Sequence, residues 1–369
     1  MRKITTGTLD IDILDTLDIL NDVLESNMFS AGKHIGLFEN NAAAIHGKSY
    51  GVLMNSGQSA LEVALTAVRT SSAPLKVLVP ATTYIATVWS IENTGNIPVF
   101  CDIDPETFCI DYNKAPDDYD IAMPVDLCGY SAGRPKDITK FVIEDAAQSF
   151  GNTECTYGDI ICSSFYVSHI ITTGSGGIAM FNNLEFDSFM RSYISHGRTF
   201  GGDFTKFTDE WVDRFKFNKV GVSFRGDALH AAVGLAQLKK LPQILWQRKG
   251  NANKIRALLE DAKIEGLWYP SQDYVNKCVF QFFPLVLDDN ILRENVLRKL
   301  YKKGIDSRVL FNLTNQPIFQ EKYGDIEDNY PVSKRINTQG FLIGCHQHIT
   351  DDNICYLVET LQEVIKSET

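Results

Sequence analysis

His169 stands in the run Ser164-Phe165-Tyr166-Val167-Ser168-His169-Ile170-Ile171-Thr172-Thr173-Gly174-Ser175-Gly176-Gly177. An imidazole takes and returns protons near neutral pH, but it offers no primary amine for a Schiff base. Ser164 closes a strand-like run just ahead of it, where a hydroxyl could bind an anion. A turn serine and a satisfied, partly buried histidine account for either residue taken alone. Asn55-Ser56-Gly57-Gln58-Ser59-Ala60 lies between an apolar run and a helix. Backbone N–H groups at a helix N-terminus bind phosphate, and glycine lets the anion come close. A helix cap by Ser56 or Ser59 explains the same residues. Asp145, in Val142-Ile143-Glu144-Asp145-Ala146-Ala147-Gln148-Ser149, follows a strand. A carboxylate at the carboxyl end of a parallel strand points into the crevice where α/β sheets bind ligands. The alternative is again a helix cap.

These positions need elements to hold them. Asp10–Ser26 carries Ile13, Leu14, Leu17, Leu20, Val23 and Leu24 near helical spacing, and Ser59–Thr70 reads as a second helix. Strand-like runs follow at Lys76–Val79, Ile97–Cys101, Ile121–Val125, Phe141–Ile143, Ile161–Phe165 and Ile178–Phe181. They alternate with helical or loop segments, the pattern of an α/β fold with a mostly parallel sheet and crossovers. No period is legible between residues 199 and 219. Asp227–Leu241 reads as a strong helix, and a second helix is expected from Pro242 to about Asp261. The last third reads as strand Val279–Leu287, helix Ile291–Lys303, strand Ile305–Phe311 and helix Asp351–Lys366. The expected organisation is a large domain over 1–244, including the N-terminal helix, and a small α+β domain over 245–369.

Composition excludes several classes. The chain has 369 residues, 44% hydrophobic and 22% charged, which is ordinary for a globular protein of this size. A net charge of -11 without a basic run argues against nucleic-acid binding. Met1–Asp10 has no apolar core of signal-peptide length, and no apolar run reaches a membrane span. A cytoplasmic protein without a membrane partner is expected. The eight cysteines are scattered, with no CxxC pair and no His/Cys cluster at zinc spacing, so reduced thiols and no metal are expected.

Ordered stretches along nearly the whole chain resemble the DegT/DnrJ/StrS family of sugar aminotransferases. They are Asn55–Leu61, Pro80–Thr87, Pro98–Asp104, Glu144–Ser149, Gly158–Ile160, Ser164–Gly177, Ser195–Arg198 and Ala231–Leu238. The resemblance implies a fold-type I pyridoxal-phosphate (PLP) architecture and a set of roles. Asp145 would pair with the pyridine nitrogen, keeping the ring an electron sink. Gln148 would contact the ring hydroxyl and Tyr84 would stack on the ring. Ser56, Gly57, Gln58 and Ser164 would hold the phosphate. Members are usually homodimers with shared active sites, in which a Gly-x-Asn-x-Arg segment of one subunit reaches the phosphate of the other. Here that segment reads Gly221-Val222-Ser223-Phe224-Arg225, with the shorter Ser223.

The family's Schiff-base lysine is replaced by His169. That exchange resembles the branch of 3-dehydratases acting on nucleotide-linked 4-keto-6-deoxy sugars, as do Ser307–Pro317 and Gly340–Gly344. Val167, Ser168 and Ser175 depart from that branch, and Glu144–Gln148 is nearer the aminotransferases. The resemblance implies a C-3 deoxygenation using pyridoxamine phosphate (PMP), with His169 taking a proton from the cofactor and protonating the departing 3-hydroxyl. Glutamate is the expected amino donor, because no closely grouped later cysteines could hold an iron–sulfur cluster. The rival readings are another PLP reaction, on a non-sugar substrate for instance, and a degenerate, non-catalytic family member.

Overall fold

The computed structural model describes residues 3–134, 140–199, 215–310 and 313–368. In chain order the elements are α1 (Ile13–Ser26), α2 (Lys33–Ile45), β1 (Tyr50–Met54), α3 (Gly57–Val68), β2 (Lys76–Pro80), α4 (Ile85–Asn93), β3 (Ile97–Cys101), β4 (Ile121–Ala122) and β5 (Phe141–Asp145). β6 (Ile160–Ser164), β7 (Gly177–Phe181), α5 (Leu184–Tyr193), α6 (Ala228–Ala262), β8 (Leu267–Trp268), α7 (Gln272–Lys277) and β9 (Phe283–Leu287) follow. The chain then forms α8 (Arg293–Lys302), β10 (Ser307–Val309), α9 (Pro317–Tyr323), α10 (Pro331–Gln339), β11 (Gly340–Ile343) and α11 (Asp351–Lys366). Residues 200–214, within the segment that shows no period, and Phe311 and Asn312 lie outside the described residues.

Seven strands form the first sheet, in the order β1-β7-β6-β5-β4-β2-β3. Strands β2 to β6 pair in parallel. Both faces of such a sheet are covered, so Val77, Leu78, Val79, Ile143, Ile160 and Ile161 are all buried. This is the mostly parallel α/β sheet expected from the sequence. β7 runs antiparallel to β1 and β6, which brings its first residue, Gly177, opposite Met54 and Ser164 at their carboxyl ends. A side chain at 177 would collide with the Ser56 backbone, so glycine lets these two ends converge. The expected strand Ile121–Val125 is shorter, Ile121–Ala122. Pro124 has no N–H to give the ladder; its carbonyl accepts from the Asp145 N–H at 2.9 Å.

The helix expected to break at Pro242 does not break: α6 is one 35-residue helix with Pro242 inside it. An interior proline costs roughly 3 kcal/mol. Packing outweighs that cost, because α6 lies against α1, α2 and α11 and buries Ala231, Ala232, Ala236, Leu241, Ile244, Ile255 and Leu259. Asp227 caps it by accepting from the His230 N–H at 2.9 Å.

The second sheet, β10-β11-β9-β8, is antiparallel. With α8 and α11 it encloses its own core, which includes Leu285, Leu300, Phe341 and Leu361. Ile4 joins that core and bridges to Ile305. Ile4, among the first described residues, therefore packs on the C-terminal unit. We propose that the two sheets mark two domains divided near residue 244, with α6 as a shared spine. Among the described residues no helix is long and apolar enough to cross a membrane.

Candidate active site

The carboxyl ends of β5 and β6, the first turn of α3 and the residues leading into α4 surround a cavity of about 460 Å³. Ser56, Gly57, Gln58, Tyr84, Asp145, Gln148, Ser164 and His169 all line it. Topology explains the convergence, since the ends of the parallel strands open on one edge of the sheet. Ser223 does not line the cavity. It bridges to Ser195, and its hydroxyl accepts from Arg225 Nη2 at 3.1 Å. Its segment runs along the end of β1, where the Phe224 carbonyl accepts from the Asn55 N–H at 2.9 Å.

One end of the cavity suits an anion. Ser56 caps α3 by accepting from the Ser59 N–H at 3.1 Å. Ser59 Oγ in turn donates to Asn55 Oδ1 at 2.7 Å. The cap and the anion site coexist, because the cap leaves the early N–H groups of Gly57 and Gln58 without intrahelical acceptors. A Cβ on Gly57 would lie 2.7 Å from the Ser164 Cβ, so the glycine backbone and the Ser164 hydroxyl face one small space. The Gln58 side chain turns away and donates to Glu62 Oε1 at 2.9 Å, leaving its backbone as the contact.

The other end suits a cationic aromatic ring. Asp145 ends β5 with only 5% exposure. Residues 147–151 form turns, so it caps no helix. Its Oδ2 accepts from Thr87 Oγ1 at 2.8 Å, and its Oδ1 from the Ala147 N–H at 3.2 Å. Burial pushes its pKa up to about 6 against the opposing pull of those two hydrogen bonds, and Asp126 adds to the rise. A facing cation would relieve that strain. Gln148 Oε1 accepts from the Cys128 N–H at 2.7 Å, which leaves the amide NH₂ as the end for the cavity. Tyr84 sits at the entrance, 62% exposed.

The His169 ring completes the wall. Its Nδ1 is buried with no hydrogen-bond partner. Burial lowers its pKa to about 4 and the Arg308 charge pushes the same way; the Ala147 backbone and the Gln281 side chain oppose the fall, although neither makes a well-formed hydrogen bond to the ring. The imidazole is therefore neutral at pH 7 and able to accept a proton.

Thr87, Gln281, Phe282 and Arg308 also line the cavity, and the sequence reading does not single them out. For Thr87 a signal exists: Thr83 and Thr87 are one helical turn apart, and their hydroxyls lie 2.9 Å apart. Arg308 lies over the Phe282 ring at 5.2 Å, between this cavity and an adjoining one of about 420 Å³. Asp126, Glu144 and Cys155 also come together, buried, with candidate ligand atoms within 4.8 Å of one another. Sequence spacing hides that group. Asp126 is already engaged there by Tyr157, Ser149 and the Ala132 N–H at 2.8 to 2.9 Å.

Comparison with known proteins decides the family. The model of the DegT/DnrJ/EryC1/StrS aminotransferase family matches residues 12–362. The chain belongs to this family. Its cofactor is accordingly PLP or the pyridoxamine form, and the protein is a PLP-dependent enzyme of the sugar-modifying kind. The cavity fits that cofactor, with a strained buried carboxylate at one end and a helix N-terminus at the other. Among curated relatives, the GDP-perosamine synthase of Escherichia coli O157:H7 is 27% identical, over 94% of each chain. The GDP-4-keto-6-deoxy-D-mannose 3-dehydratase of Yersinia pseudotuberculosis is 26% identical, over 94% of this chain and 95% of its own. Among solved structures, the E. coli GDP-4-keto-6-deoxy-D-mannose-3-dehydratase with bound hydrated PLP superposes with a TM-score of 0.85 at 23% identity, over 98% of this chain and 100% of the other.

Proposed function

We propose that the chain is a PMP-dependent C-3 dehydratase of a nucleotide-linked 4-keto-6-deoxy sugar, with His169 as its acid–base group. The observation that carries the reading is a buried imidazole in the wall of a cavity otherwise suited to a pyridine phosphate. Amino transfer in this family relies on a lysine, and among the described residues no lysine lines the cavity. Relatives named for GDP-linked sugars support the substrate class.

When bound, the cofactor supplies a primary amine for the sugar ketone and a ring that accepts electrons. The α3 N-terminus and the Ser164 hydroxyl would hold the phosphate. The Asp145 carboxylate would keep the pyridine nitrogen protonated, and the Gln148 amide would donate to the ring hydroxyl. Tyr84 would cover the ring at the entrance. His169, held neutral by burial, would accept the proton given up by the bound cofactor and return it to the departing 3-hydroxyl, which leaves as water, the role that a general acid–base group can fill. Glutamate is the proposed amino donor, and in a homodimer Ser223 would face the phosphate site of the partner subunit.

The test is His169→Asn. PMP affinity should stay near wild type while turnover falls about 10²–10⁴-fold. Near-normal turnover in that variant would remove His169 from the chemistry.

A further inference from the structure

Two buried polar atoms at this cavity have no partner: His169 Nδ1 and Gln281 Oε1. They belong to side chains that line the same space. Gln281 is 3% exposed and is held from three directions. Its Nε2 donates to the carbonyl of Ser168, the residue before His169, at 2.8 Å. Its N–H donates to the Cys128 carbonyl at 2.9 Å. Its carbonyl accepts from Nη1 of the buried Arg248 at 3.2 Å. With Nε2 committed to Ser168, the remaining end of the amide is an acceptor. An imidazole Nδ1 that carries the proton is a donor. Unpaired buried polar groups are costly, so a donor and an acceptor of this kind in one wall are expected to meet.

We propose that Gln281 is a positioning residue for His169: its Oε1 accepts the Nδ1–H and fixes the neutral tautomer that leaves Nε2 bare toward the cavity. The proposal rests on the reading of His169 as the acid–base group. In the other tautomer the ring would turn its lone pair to the wall and its N–H to the reacting atoms. A carboxamide suits this task, since it orients the ring without adding charge beside Asp145. The Gln281 side chain already favours the protonated ring, which agrees with an acceptor turned toward it. The other ionisable groups facing the cavity are Arg308 from β10, Asp145 from β5, Cys162 from β6, Tyr166 from the His169 loop and Tyr84 before α4. None supplies a competing acceptor to the ring through a hydrogen bond found among the described residues. The competing acceptor is the Ala147 backbone.

The experiment is ¹⁵N-histidine NMR on the full chain without cofactor, with His169 assigned by its loss in His169→Asn. Wild type should show the Nδ1–H tautomer. Gln281→Met removes the acceptor at similar volume and should shift the ring away from that tautomer. It should also lower kcat about five- to tenfold, the scale of one neutral hydrogen bond, with PMP affinity kept. Gln281→Glu keeps the shape and should raise the His169 pKa. An Nε2–H ring in wild type, an unchanged tautomer in Gln281→Met, or an unchanged pKa in Gln281→Glu each overturns the proposal. Because NMR reads the ring without any reaction, a different chemistry for the enzyme would leave this outcome unaffected.

Discussion

Replacing Asp145 by asparagine should stabilise the cofactor-free protein while impairing it as an enzyme. The carboxyl is buried and its pKa rises from 3.8 to about 6. A shift of that size disfavours the charged form by roughly 3 kcal/mol. The sign follows from linkage. The folded pKa lies above the unfolded one, so the penalty is full above pH 6 and vanishes below about pH 3.8. Asparagine removes the charge but weakens one of the two hydrogen bonds, from Thr87 or from the Ala147 N–H, at a cost of about 1 kcal/mol. The net gain at pH 8 is roughly 2 kcal/mol. If the 369 residues unfold together, that gain raises Tm by about 2–3 °C. The assay is urea and thermal unfolding of both proteins at pH 8 and pH 4, with PMP affinity and product formation measured alongside. Asp145→Asn should be more stable at pH 8, no more stable at pH 4, and slow in the chemical step, with binding weakened less. A variant destabilised equally at both pH values, or fully active, would show that Asp145 is a structural residue with no strained charge.

Other outcomes follow from the same cavity. Borohydride reduction of the PLP-loaded protein followed by peptide mapping should find no pyridoxyl-lysine, whereas His169→Lys should yield one at 169 and gain some amino-transfer activity; an adduct on Lys140 or Lys219 of the natural chain would sink the non-covalent reading. Gly57→Ala puts a methyl group 2.7 Å from the Ser164 Cβ, which should push α3 off the anion space and weaken PMP binding about tenfold or more with the fold kept, as titration would measure; unchanged affinity would show that the α3 turn does not hold the phosphate.

The site was legible where its signals are local. Gly57 before a helix and Asp145 after a strand can each be seen within a few residues, and β-strand ends of a parallel sheet must meet at one edge. The reversed β7 was not legible, because the convergence of Met54, Ser164 and Gly177 depends on strand order. Nor was the continuity of α6 through Pro242, which is decided by α1, α2 and α11. Thr87 and Gln281 escaped because their partners, Asp145 and Ser168, are far away in sequence. Ser223 shows the opposite case: the motif is visible in the sequence, but within one chain the residue stays outside the cavity.

The most direct test of the central claim is mass spectrometry of the products formed from a small panel of nucleotide-linked 4-keto-6-deoxy sugars with glutamate and PLP. The account requires a sugar nucleotide one oxygen atom lighter than its substrate, with the ketone retained and the hydroxyl at C-3 gone. A product that keeps the 3-hydroxyl and carries an amine in place of the ketone would contradict it.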